Sequence, residues 1–328
     1  MTRHAVKARS VTRLAVLLLA LSACDAVAPE RTEPLDDAAL LNHLSFLADD
    51  SLYGRGSGSP HEREAAEYIR DVFESYGLEP GAPGYLQTFA YSAKVAGTSQ
   101  NVLGALPGRG GLAGQWVILG AHYDHLGFDE PVFDSLVIFN GADDNASGVA
   151  LLLEIARVLG DYVTAGGGPS SRRSLMFQAY GAEEVGLRGS LYFARNPTVP
   201  MDSIVAMVNL DMVGRLRGNE LMIIGASSAP LWRTMLSDLN AGSLSLRFSE
   251  QGQGSSDQLA FLLEAKPAIH VFTGLHGEYH TPLDDVWLIE REGMARIGDL
   301  VAAVLLELVA RPDPPAFVST LQVAPGAR

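Results

Sequence analysis

The chain has 328 residues, 47% of them apolar, with a formal net charge of −14 and a pI near 4.9. That is enough apolar material for a substantial core, which excludes wholesale disorder, and a length that suits one large domain or two ordinary ones. The acidity excludes a nucleic-acid binder, which would present a basic face, and most of the carboxylates read as solubilising surface.

The chain opens on the basic stretch "MTRHAVKARSVTR" and the short apolar run "LAVLLLALSA". Together they read as a secretory signal, too short for an ordinary spanning helix. The run ends "LSAC", Leu21 to Cys24, which resembles the lipobox of bacterial lipoproteins. The resemblance implies removal of residues 1–23, lipidation of Cys24 and an extracytoplasmic place on the cell envelope, held to a membrane by lipid. Cys24 is also the only cysteine, so no internal disulfide is expected. The polar, Pro-containing segment up to residue 35 reads as a tether.

From Asp36 to Ala48 apolar residues recur at helical spacing, with acids suited to a first turn. "LYGRGSGSP" is a loop, and a second helix starts at Pro60 and stops at Gly77. Strand-like runs follow in "LQTFAYSA", "QNVLGALPG" and "QWVILGAHYD", then the helix "ASGVALLLEIARVLG". "RSLMFQAYGA" and "SIVAMVNLDMVG" are strands, and "LMIIGA", "APLWRTMLSDLNAG", "SDQLAFLLEA" and "AIHVFTG" continue the alternation. A last helix spans about 290–310, and residues 313–328 form a Pro-rich tail. Several of these runs are apolar on both faces, as strands covered by helices are. The expected fold is one α/β domain over 36–312, a three-layer α/β/α sandwich with a mixed, mostly parallel sheet. No repeat or strong linker divides it, and a monomer is the default.

In such sheets the C-terminal strand ends build sites. Here five of them, or their adjoining turns, deliver His or carboxylate: His122, Asp124 and His125; Asp143 and Asp144; Glu183 and Glu184; Asp211; and His276, Tyr279 and His280. Any one alone is an ordinary cap or a satisfied polar residue. Their recurrence points to metal. Histidine and carboxylate ligands without cysteine suit catalytic zinc, and two histidines with three carboxylates exceed what one zinc needs. They fit two metals with a bridging carboxylate. Adjacent carboxylates such as Glu183 and Glu184 repel each other, so burying both calls for a cation.

"GAHYDHLG", "NGADDNASG", "AEEVGLRGS", "NLDMVGR" and "YHTPLDD", in that order, resemble the co-catalytic zinc aminopeptidase family, which includes bacterial leucyl aminopeptidases, glutamate carboxypeptidase II and glutaminyl cyclases. The likeness spans about residues 36–310. It implies a zinc peptidase acting on the N-termini of peptides. His122 and Asp211 would bind one zinc, Glu184 and His280 the other, and Asp144 would bridge both. Glu183 would be the general base, Asp124 would hold the His122 ring, and Tyr279 would stabilise the oxyanion. The peptide bond from Asp144 to Asn145 would be cis. Roles for His125, Asp143 and His276 stay open, and His276 would line the entrance. Gln258 stands where the family often has histidine, which puts the pocket wall in doubt. A glutaminyl cyclase with one zinc and a carboxypeptidase of the glutamate carboxypeptidase type remain as alternatives. The segment 126–141 is expected to overhang the site.

Overall fold

A computed structural model describes residues 1–2, 34–92, 96–132, 135–240, 242–249 and 256–319. The signal segment, Cys24, most of the tether and the end of the tail lie outside these residues. Among the described residues no helix is long and apolar enough to cross a membrane.

The chain begins with helices α1 (Asp37–Leu47) and α2 (Pro60–Ser75). The Asp36 carboxylate caps α1 by accepting the Ala38 and Ala39 N–H groups at 2.9 and 3.5 Å. Ser59 caps α2, and Pro60 opens it. Strands β1 (Glu79–Pro80), β2 (Leu86–Ser92), β3 (Ala96–Leu106) and β4 (Trp116–His122) follow. A separate hairpin of β5 (Gly127–Val132) and β6 (Ser135–Phe139) leads to α3 (Gly148–Thr164). Then come β7 (Ser174–Tyr180), α4 (Arg188–Arg195), β8 (Ile204–Leu210) and β9 (Glu220–Ile224). The chain closes with α5 (Leu231–Asn240), β10 (Ser245–Ser249), α6 (Gln258–Leu263), β11 (Ala268–Phe272) and α7 (Arg291–Ala310).

The main sheet runs in the order β1-β3-β7-β4-β8-β11-β9-β10, with β2 on β3. Its centre, β7-β4-β8-β11, is parallel, and antiparallel pairs flank it. Central strands are apolar on both faces because both faces are covered. Val117, Leu119 and Ala121 of β4 point into the larger core with α1, α2, α3, α5 and α7, whereas Ile118 joins Phe193 of α4 and Phe261 of α6 on the other side. The fold is the expected α/β sandwich.

The chain leaves β4 for β7 on one side, then crosses to β8 on the other. The end of β4 is therefore a topological switch point, where an open α/β sheet forms a crevice. The parallel centre brings His122, the 181–184 turn, Asp211 and the 273–280 loop to the same edge.

Candidate metal centre

Register sets the first three groups. His122 ends β4 opposite Tyr180 of β7, three residues before Glu183. On the other side Gly120 pairs with Asn209, which places Asp211 level with His122. The chain then turns sharply: Ala182, Met212 and His280 all take left-handed φ values of 52° to 56°. Such backbone is uncommon outside glycine and clusters at functional sites. The fourth group, Asp144, lies in the buried turn before α3, and the Asp144–Asn145 peptide is cis. Gly141 opens that turn with φ +55°; a Cβ there would stand 2.5 Å from the His125 ring.

Asp144 sits at the centre. Its Oδ1 lies 3.3 Å from His122 Nε2, which lies 3.4 Å from Asp211 Oδ1. Its Oδ2 lies 3.0 Å from His280 Nε2, which lies 3.5 Å from Glu184 Oε2. Ligands about 2.0–2.1 Å from a tetrahedral metal stand about 3.3 Å from one another. The spacings therefore fit two metal shells sharing Asp144. Ligand atoms of His122, Asp144 and Glu184 also lie within 4.8 Å of one another. Among the described residues no Lys or Arg forms an ion pair with Asp144, Glu184 or Asp211. The donor set thus suits cations from outside.

Without metal, protons take their place. Burial raises the Asp144 carboxyl, but the bonds from His122 and His280 outweigh it and leave the group below the usual carboxylate range. The same bonds, to Asp144 and Glu184, push His280 up to about 10. Metal and protons compete for these atoms.

Beneath this ring other carboxylates hold backbone. Asp124, fully buried, accepts the Glu183 N–H at 2.9 Å, the Glu184 N–H at 3.3 Å and the Ser57 hydroxyl at 2.6 Å. Its carboxylate is 3.8 Å from His122 Nδ1, which is nearer, at 3.2 Å, to the Asp124 carbonyl. Asp124 thus fixes the Glu183–Glu184 turn directly and holds the His122 ring chiefly through its main chain. Asp284 does the same for the Asp144 turn, accepting the Asp143 and Asp144 N–H groups, each at 3.0 Å. Glu62 accepts the Ala182 N–H at 3.0 Å, the Gly58 N–H at 2.7 Å and the Ser99 hydroxyl at 2.7 Å. Arg55, buried, donates to the carbonyls of Leu47, Tyr123, Asn140 and Gly141 and so ties α1 to two site turns. None of Asp284, Glu62 and Arg55 stands out by spacing, although all lie in or beside quoted motifs. Glu62 follows Ser59 at capping-box spacing, yet its carboxylate reaches past Ser59 to the Gly58 N–H and spans to the β7 turn.

Glu183 lies beside the ring without joining the histidine contacts. Burial pushes its carboxyl well up, His122 opposes this, and the charges of Asp257, Asp211 and Glu184 add to it. Tyr279 stacks on the His280 ring at 3.8 Å between centroids, and burial raises its hydroxyl. Of the residues left open, His125 bonds Glu184 Oε1 through Nδ1 at 2.8 Å. His276 bridges Asp143 and Glu278, each at 3.1 Å, and Arg215 closes the chain at 3.2 Å from Glu278. Asp143 also accepts the Gly214 N–H at 2.7 Å, which links the Asp144 turn to the loop after Asp211. Gln258, buried at the start of α6, accepts from the Asn209 amide of β8 at 3.5 Å.

Residues 101–305 match the profile of Peptidase family M28. Aminopeptidase YwaD of Bacillus subtilis is 32% identical over 232 residues, which is 66% of this chain and 46% of that protein. The chain thus spans about half the length of the first relatives it matches. Among solved structures, BSAP, a zinc aminopeptidase from Bacillus subtilis, superposes with a TM-score of 0.69 at 18% identity, covering 88% of this chain and 99% of that one. Porphyromonas gingivalis glutaminyl cyclase superposes with a TM-score of 0.65 at 21% identity, covering 84% and 99%. These structural likenesses establish the fold.

Proposed function

The chain belongs to peptidase family M28, and from that membership we propose that it is a metal-dependent aminopeptidase releasing N-terminal residues from peptides. The observation that carries the reading is the split environment of Asp144, one oxygen beside His122 and the other beside His280. His122, Asp211 and Asp144 Oδ1 would hold one divalent cation; His280, Glu184 and Asp144 Oδ2 would hold the second. Zinc fits the His and carboxylate donors. Cations there would polarise the scissile carbonyl and acidify the attacking water.

The protein groups do the rest. Glu183 takes a proton from the water and returns it to the leaving nitrogen, for which a carboxyl pushed up by burial is suited. Asp124 keeps Glu183 in place through its N–H. Tyr279, kept protonated by burial, donates to the oxygen that gains charge. The substrate's free amine fits the side near Asp211 and Asp257. Asp257 is fully buried and within electrostatic reach of His122 and Asp211.

The test is product release from a panel of aminoacyl-nitroanilides by residues 25–328, with and without chelator. Release that chelator abolishes and zinc restores is expected. No release, with N-terminal glutamine peptides cyclised instead, would move the chain to the cyclase branch.

A further inference from the structure

A cavity of about 430 Å³ adjoins the ring on the Glu184 side. We infer that it is the subsite for the residue following the scissile bond, and that it takes an aromatic or large apolar side chain. The inference rests on the aminopeptidase reading above.

His125 and Glu184 form the inner wall, Tyr53, His61, Leu126 and Phe128 supply its large side chains, and the glycine- and serine-rich stretch 56–59 completes it. Tyr53 stacks on His61 at 4.5 Å and meets Phe128 edge-on at 5.6 Å. These side chains are not core: Tyr53 is 38% exposed, Leu126 39% and Phe128 43%. A cluster of exposed apolar groups around a concavity marks a binding surface, since each loses free energy to water until it is covered. Among the described residues Glu184 is the only acid on the wall, and it faces His125 and His280; none of the described lining residues is Lys or Arg. An acidic side chain would find no fixed cation there, whereas a ring would find stacking partners.

The wall is built rather than loosely draped. Gly54, at φ +67°, lies against the carbonyls of Gly127 and Phe139 so closely that a Cβ would strike both. Gly56 bridges His125, and the His125 N–H donates to Arg55 O at 3.2 Å. The turn carrying Tyr53 is thereby pressed onto the β5–β6 hairpin carrying Phe128. That hairpin lies within the segment 126–141, and its first residues line the cavity.

Direction follows from the two ends of the ring. The His122–Asp211 end is backed by the fully buried Asp257 and suits a single residue with its amine. The Glu184 end opens through this cavity to solvent and suits a departing chain of any length.

The test uses dipeptides that share the first residue favoured in the nitroanilide panel, with Gly, Ala, Phe, Trp or Glu second, and the simple amide of that first residue. Phe and Trp are expected to exceed Gly in kcat/KM by roughly tenfold. Phe128→Ala should bring that ratio to within about twofold and leave amide hydrolysis unchanged. Leu126→Ala gives an independent reading should Phe128→Ala fold poorly. Amide hydrolysis with no aromatic preference at the second position, or a preference that survives both variants, would overturn the subsite. Failure to cleave either the amide or any dipeptide would instead remove the aminopeptidase reading, and the subsite with it.

Discussion

Two groups of buried titratable side chains differ in how their charge is met. Around α3, the Glu154 carboxylate is fully buried, yet Arg157 bonds it through Nε at 3.0 Å and Nη2 at 2.9 Å, and the Asp36 N–H adds a bond at 3.1 Å. His43 lies 3.9 Å away and is held by the Tyr68 and Tyr76 hydroxyls at 2.7 and 3.1 Å. That cluster is complete. At the strand ends, by contrast, Asp144, Glu184 and Asp211 gather around histidines without a Lys or Arg partner among the described residues. Arg55 is close enough to be felt electrostatically, but its donors go to backbone carbonyls. Buried carboxylates without a fixed cation are either saturated by N–H and O–H donors, as Asp124, Glu62 and Asp284 are, or gathered on histidines, as Asp144 and Glu184 are, and the second pattern suits a metal.

The contrast can be broken at either cluster. Glu183→Gln should keep the metals and slow turnover by about 10²–10⁴-fold, read as kcat at saturating zinc; near-normal turnover would remove Glu183 as base. Glu154→Gln should do the reverse, lowering unfolding stability by about 1–2 kcal/mol in urea titration through its weakened hydrogen bonds while kcat is unchanged. A fall in kcat without loss of stability would mean that the two clusters are not separable.

A smaller effect sharpens the boundary between ligands and their supports. Asp284→Asn removes the negative charge and one of the two acceptor oxygens that face the Asp143 and Asp144 N–H donors, so zinc affinity should weaken by about 10–100-fold, with kcat recovered at high zinc. Equal affinity in competition with a chelator would show that the turn holds its shape without that carboxylate. The smallest effect is in the complete cluster. Burial lowers His43 from 6.5 to about 4, with Glu154 opposing. The unfolded chain therefore binds the proton more readily between those values. The stability this neutral histidine contributes is present above pH 6.5 and is lost as pH falls toward 4. Melting of metal-free protein across that window should be steeper in pH for the native chain than for His43→Gln; identical profiles would contradict the assignment.

How much could be read from sequence follows the same physics. β4, β7 and β8 are legible because each is covered on both faces and so reads as an unbroken apolar run. The edge strand β10, "SLRFS", and the eight-residue α4 give no such signal. The β5–β6 hairpin was legible only as an overhanging segment. At the site, the strand-end rule and five ordered motifs pick out the residues that converge on Asp144. Asp284, Glu62 and Arg55 escaped because their partners are backbone groups far away in sequence, and spacing carries no trace of those bonds. The tie between His276 and Asp143 spans 133 residues and was equally hidden.

The most direct measurement of the central claim is the metal content of the purified 25–328 chain after zinc saturation and removal of free metal, beside Asp144→Ala. Two ions per chain, both lost in the variant while circular dichroism shows the fold intact, is the predicted result. One ion or none in the native chain, or a variant that retains both, would contradict the reading of Asp144 as the shared ligand of a two-metal peptidase site.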